Sequence, residues 1–165
     1  MGKRINTTMR LAISGSDHKM DEALARWILE KMGNTSRFLH KGEYYAIGVL
    51  NDKNQIVAGV LYHNYEKIGD SGKIELSMAA VHPGWCRKGI IAGLLYYPFI
   101  QLNCHIIVST VKMKNKRVRK LAEGIGFKCV GKIDNWPYGE DVIIYTLRIE
   151  DARRWIVPNE ARKAA

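Results

Sequence analysis

Apolar and polar positions change their period several times along this chain, and each change marks an element. "TMRLAIS" near the start reads as a first strand. In "DHKMDEALARWILEKMG" the apolar residues recur at helical spacing, so Met20, Leu24, Trp27, Ile28 and Met32 form one stripe. Ser16 or Asp17 would cap this helix and Gly33 would end it. "EYYAIGVLND" and "QIVAGVLYHNY" are strand-like runs joined by the hairpin-like turn "NDKNQ", and "GKIELSMAAV" is a further strand after the turn "IGDSG". An apolar helix should begin near Gly89 and bend or end near Pro98, where a helix hydrogen bond is lost. "CHIIVSTV" has the continuous apolar character of a buried strand. "NKRVRKLAEGIGF" predicts a helix capped by Asn115, with Val118, Leu121 and Ile125 inward and Gly126 as its stop. "FKCVGKI" and "DVIIYTLRI" are two closing strands around the loop "DNWPYGE". The tail is a short helix anchored by Trp155 and cut by Pro158. Antiparallel strands followed by strand–helix alternation predict an α+β fold of mixed α/β layers, in a single domain over residues 1–165.

Composition narrows the setting. Hydrophobic content of 47% and charged content of 25% are ordinary for a soluble globular protein. "GIIAGLLYYPFI" is the longest apolar stretch, and Pro98 interrupts it well short of a membrane span. "MGKRINTTMR" has no apolar segment of the signal-peptide kind. Cys86, Cys104 and Cys129 are odd in number and scattered, which fits reduced thiols and a cytoplasmic location and shows no metal site. The formal net charge of +10 favours anionic partners: a phosphorylated cofactor, a nucleic acid or another polyanion. Its densest block is "KMKNKRVRK", residues 112–120, with six cations and no acid. A solvated helix face is the plain reading of that block.

The chemistry concentrates in "VHPGWCRKGI", residues 81–90, between a strand and a helix. A helix N-terminus offers unpaired N–H donors and partial positive charge, which suits a phosphate. Arg87 and Lys88 add cations there, and Gly89 allows close approach of a ligand to the backbone. The same segment resembles the acyl-CoA pyrophosphate loop of the GNAT superfamily of N-acyltransferases through Val81, Pro83, Trp85, Lys88, Gly89 and Ile90. Cys86 departs from that pattern, and Ile91 stands where a second small residue is usual. Asn115 and "GIGF" resemble the asparagine-led helix of the superfamily and its Gly-Phe end. "YHN", "IELS", "YPFIQLNC" and "DVIIYTL" look like phrases of compact stand-alone members encoded by phages and prophages.

The resemblance implies a mostly antiparallel central sheet whose fourth and fifth strands splay to admit acyl-pantetheine. It implies acetyl-CoA as donor, bound by Ala80, Val81, Cys86, Arg87, Lys88, Gly89, Ile90, Ile91 and Asn115, with backbone groups around Ala79 to Val81 pairing the pantetheine amides. Acyl transfer to an amine needs a base, and Glu75 stands where several members place a catalytic glutamate. Strand alternation puts Glu75, Ser77 and Ala79 on one face. The usual tyrosine acid, seven residues after the helix-leading asparagine, is replaced here by Ala122, leaving Tyr138, Tyr145 and Ser109 as candidate donors. His63, Asn64 and Ser77 are candidate substrate contacts. Each of these side chains also has an ordinary structural role open to it, Glu75 as half of an ion pair and His63 as a hydrogen-bonded strand end. The basic block would meet the cofactor's 3′-phosphate through Lys112, Lys116 or Arg117, or else nucleic acid, although no DNA-reading motif is present. The expected function is direct N-acetyl transfer to an amine. The alternative is a non-catalytic module that binds CoA or nucleic acid, a choice that Ala122 and Ile91 keep open.

Overall fold

A computed structural model describes residues 8–13, 18–33, 42–136 and 139–157. Their elements run β1 (Arg10–Ile13), α1 (His18–Lys31), β2 (Tyr44–Leu50), β3 (Ile56–Ile68), β4 (Ser71–Ala80), α2 (Lys88–Tyr96), β5 (Cys104–Lys112), α3 (Lys116–Ile125), β6 (Lys128–Trp136), β7 (Glu140–Arg148) and α4 (Ile149–Ile156). The strands form one sheet in the order β1-β2-β3-β4-β5-β7-β6. Short turns make β2–β3 and β3–β4 hairpins, and β1–β2, β5–β7 and β6–β7 are antiparallel. β4 and β5 run parallel, as the helical crossover between them requires. The fold is thus the α+β arrangement with a mostly antiparallel sheet that the sequence predicts. The proposed cap residues Ser16 and Asp17, the loop residue Tyr138 and the terminal Pro158 lie outside the described residues.

The chain divides into two compact units, Met1–Tyr62 with Met78–Leu94, and His63–Ser77 with Leu95–Ala165. In the first, α1 buries Leu24, Ala25, Ile28 and Leu29 against Ala46, Leu61 and Ala79. The predicted stripe holds at Leu24, Trp27, Ile28 and Met32, whereas Met20 is 42% exposed and Asp21, Ala25 and Leu29 widen the buried face. Glycines receive the centre of the stripe. A Cβ on Gly48 would lie 2.7 Å from Leu24 Cδ2, and one on Gly59 2.9 Å from Ile28 Cγ1, so α1 settles where the sheet has no side chains. Two residues beyond α2, Pro98 has no N–H to offer the Leu94 carbonyl. The chain widens into a π-type turn over Tyr97–Gln101, and the Tyr62 hydroxyl donates to that carbonyl at 2.8 Å.

In the second unit β5 pairs with β7 from Ile106↔Arg148 to Lys112↔Val142. α3 begins at Asn115, whose side-chain oxygen accepts the Val118 N–H at 3.1 Å, and ends at Gly126 with φ 120°. Trp155 of α4 donates its indole N–H to the Ile125 carbonyl at 2.7 Å, the anchoring role its position suggests.

Candidate functional site

The first unit carries the loop. After β4 the Val81 N–H donates to the Val57 carbonyl at 2.9 Å, so the amide of Val81 is spent on the sheet. Only its carbonyl remains for a pantetheine amide. His82 then starts a short 3₁₀ turn, its Nδ1 accepting the Gly84 N–H at 3.0 Å, and Trp85 drops into the core at 3% exposure. Arg87 folds back, its Nε donating to the Gly84 carbonyl at 3.2 Å, while Cys86, Arg87, Lys88 and Gly89 are exposed. α2 opens immediately, with Ile91 N–H bonded to the Arg87 carbonyl. Helical geometry leaves the N–H groups of Lys88, Gly89 and Ile90 without an acceptor inside the helix. A Cβ on Gly89 would meet nothing within 4 Å, so the packing of the chain gives no reason for a glycine there. Ile91, which departs from the family pattern, is 4% exposed and turned into the core, as is Ile90. Neither crowds the mouth of the helix.

The second unit carries the polar candidates. The β4–β5 ladder runs from Gly72↔Cys104 to Glu75↔Val108. At the next residue the Leu76 carbonyl is taken instead by the Ser109 hydroxyl at 2.9 Å, which commits Ser109 to the backbone. Glu75, with its side chain 38% exposed, lies 3.9 Å from His63 Nδ1, and His63 Nε2 lies 2.9 Å from the Ser77 hydroxyl. The structure therefore brings together three of the predicted residues. Ala79 is buried in the core with Leu61, two residues before His63, as the alternation that puts it on the face of Glu75 and Ser77 expects. Asn64 has φ 51° and is exposed, and every residue of β3 after His63 is exposed. Asparagine tolerates the left-handed region, which gives Asn64 a backbone role at this turn of the strand.

Tyr145 is fully buried, donates to Glu123 Oε1 at 2.9 Å and accepts from Arg119 Nε at 3.3 Å. Burial, ahead of the Glu123 contact, holds its phenol above the usual tyrosine range. It ties α3 to β7 and is a poor source of a catalytic proton. In the basic block Lys112 pairs with Glu140 at 2.8 Å and Arg119 also donates to the Met113 carbonyl, whereas Lys114, Lys116, Arg117 and Lys120 are exposed. Asn115 spends its side-chain oxygen on its own helix and has only its NH₂ to offer a ligand. Sequence reasoning missed the His82 cap; a His two residues before Gly84 was its only trace. Among the described residues no His, Cys, Asp or Glu cluster could hold a metal ion, and no helix is long and apolar enough to cross a membrane.

By sequence the chain matches no family model and no curated protein. By structure it is similar to acetyltransferases. A chimera of the Vibrio cholerae spermidine N-acetyltransferase SpeG with hSSAT matches with TM-score 0.63 and 17% identity over 88% of this chain and 97% of that one. A point mutant of the same Vibrio cholerae enzyme matches with TM-score 0.59 and 20% identity over 94% of this chain and 98% of that one. An acetyltransferase of the GNAT family from Bacillus anthracis matches with TM-score 0.50 and 20% identity over 64% of this chain and 66% of that one. The chain has the GNAT acetyltransferase fold.

Proposed function

We propose that this chain is an N-acyltransferase that moves an acetyl group from acetyl-CoA to an amine in one direct step. The observation that carries the reading is the start of α2, where the amides of Lys88, Gly89 and Ile90 lack helical acceptors beside two exposed cations. The open face of Gly89 there is left unexplained by the packing of the chain. A diphosphate fits such a place by charge and by donor geometry. Glu75 of the second unit supplies the negative charge that favours removal of the proton from the amine. The amine nitrogen bonds to the thioester carbonyl carbon, the C–S bond breaks, and CoA leaves as the thiolate. The exposed Lys116 and Arg117 suit a further phosphate of the donor.

For the acceptor, the spermidine used by the Vibrio cholerae neighbours is the natural first trial. A net charge of +10 nevertheless repels a polycation and favours a neutral amine, or one carried by a nucleic acid or another polyanion. The second reading, a module that binds CoA without catalysis, is favoured by Ala122 where a tyrosine acid is usual. Mixing the protein with acetyl-CoA and spermidine, n-butylamine or a lysyl peptide separates the two. Steady CoA release with at least one amine is expected, and binding of acetyl-CoA without release would favour the module.

A further inference from the structure

Three side chains of the second unit meet in a line. The His63 ring is 5% exposed, with Nε2 2.9 Å from the Ser77 hydroxyl and Nδ1 3.9 Å from a carboxylate oxygen of Glu75. The negative carboxylate favours the neutral tautomer with hydrogen on the facing Nδ1. In that tautomer Nε2 accepts from the Ser77 hydroxyl, and the Ser77 oxygen keeps its lone pairs for a substrate. At 3.9 Å the Glu75 carboxylate is too far for a hydrogen bond, so its hold on the ring is coulombic and grows when the ring becomes cationic. Glu75 and Ser77 are the groups of β4 that face the ring, and the Lys73–Glu66 ion pair joins β4 to β3 nearer their turn.

We propose that Ser77 meets the acceptor amine and passes its proton to His63, with Glu75 as the counter-charge. This rests on the acyltransferase reading and assigns the base within it. As the nitrogen bonds to the thioester carbonyl carbon and the thiolate departs with the C–S electron pair, the nitrogen's proton goes to Ser77 Oγ. The original Oγ proton goes to His63 Nε2 in the same step. The imidazolium then faces the carboxylate of Glu75 and returns its proton to water after the amide leaves. Ser77 touches the substrate; His63 is a positioning residue that acts through it. Strand alternation turns the hydroxyl and the carboxylate, two residues apart on β4, toward the same ring.

Two measurements on the full chain test this. Imidazole ¹⁵N spectra should place the His63 hydrogen on Nδ1, and Ser77→Ala should move the Nε2 resonance; a hydrogen on Nε2 overturns the relay without reference to catalysis. With acetyl-CoA as donor and n-butylamine or spermidine as acceptor, Ser77→Ala and His63→Gln should each lower kcat by about 10²- to 10⁴-fold. The Michaelis constant for acetyl-CoA should not change, and the double variant should fall no further than either single one. The ascending limb of the pH–rate profile should vanish in His63→Gln and survive in Glu75→Gln, displaced to lower pH because the imidazolium has lost its carboxylate. A limb that vanishes in Glu75→Gln and persists in His63→Gln overturns the relay and makes Glu75 the base. An acetyl group found by mass on Ser77 overturns it in favour of a nucleophilic serine. Should His63→Gln fail to fold, Ser77→Ala carries the kinetic test alone, and full activity there overturns the proposal. Wild-type protein that releases no CoA with either amine defeats the transferase reading itself, which no single variant does.

Discussion

The loop at residues 81–90 and the group formed by His63, Glu75 and Ser77 are built in opposite ways. The loop is contiguous: one strand end, one 3₁₀ turn and one helix start place all its groups within ten residues of chain. Its donors are backbone amides, so the side chains need only keep out of the way and anchor it, as Gly89 and Trp85 do. The polar group is assembled from two strands, and its donors and acceptors are side chains whose directions depend on strand register. A binding surface for a charged group tolerates the first kind of construction, whereas proton transfer needs the second, because hydrogen-bond geometry must be held to a few tenths of an ångström.

The largest expected effect comes from breaking the second region alone. Ser77→Ala removes one hydroxyl from the group, so turnover should fall by about 10²- to 10⁴-fold while acetyl-CoA affinity stays near wild type. Steady-state rates with separate calorimetric binding would show it, and full activity would make Ser77 an ordinary strand residue. Trp85→Ala attacks the anchor of the first region. Emptying that buried site should cost about 3–5 kcal/mol by chemical denaturation and weaken acetyl-CoA binding as well.

That contrast also accounts for how much was legible in the sequence. The loop, the Asn115 cap, the Gly126 stop and the Trp155 anchor are local patterns whose partners lie within a few residues or face an obvious helix end, and the structure holds each cap and anchor as expected. The meeting of His63 with Ser77 was not legible. It depends on which residue of β3 lies beside which residue of β4, and no local pattern announces the left-handed turn at Asn64 that follows His63. In α1 the stripe was legible except at its start: Leu24, Trp27, Ile28 and Met32 pack in or against the core, and Met20 does not. Tyr145 reads as a candidate acid in sequence because nothing local shows that Glu123 and Arg119 engage its hydroxyl.

A smaller effect should come from Tyr62→Phe, which strips the Leu94 carbonyl of its hydroxyl donor where Pro98 has already removed the helical one. An unsatisfied buried carbonyl costs about 1–3 kcal/mol. The loss should appear in equilibrium unfolding, with little change in the charge and donors at the helix start. An effect that disappears in strong acid is expected at the far end of the second unit. The Asn135 N–H and then Lys132 hold the Asp141 carboxyl below the usual aspartate range. A depressed folded value means that the contribution is present above the unfolded value and is lost as pH falls through the folded one. Wild type should therefore exceed Asp141→Asn in stability at neutral pH, and the gap should close in strong acid. Parallel melting series across pH would show whether it does.

The central claim is that the start of α2 holds the phosphates of an acyl-CoA, and melting curves with acetyl-CoA test it most directly. At about 100 times its dissociation constant the donor should stabilise the wild-type protein by about 2.7 kcal/mol. Gly89→Trp should melt like wild type when no donor is added, because the space before Gly89 is open, and should gain nothing from acetyl-CoA. A wild-type melting curve unmoved by millimolar acetyl-CoA, or a Gly89→Trp protein stabilised as fully as wild type, would contradict the account.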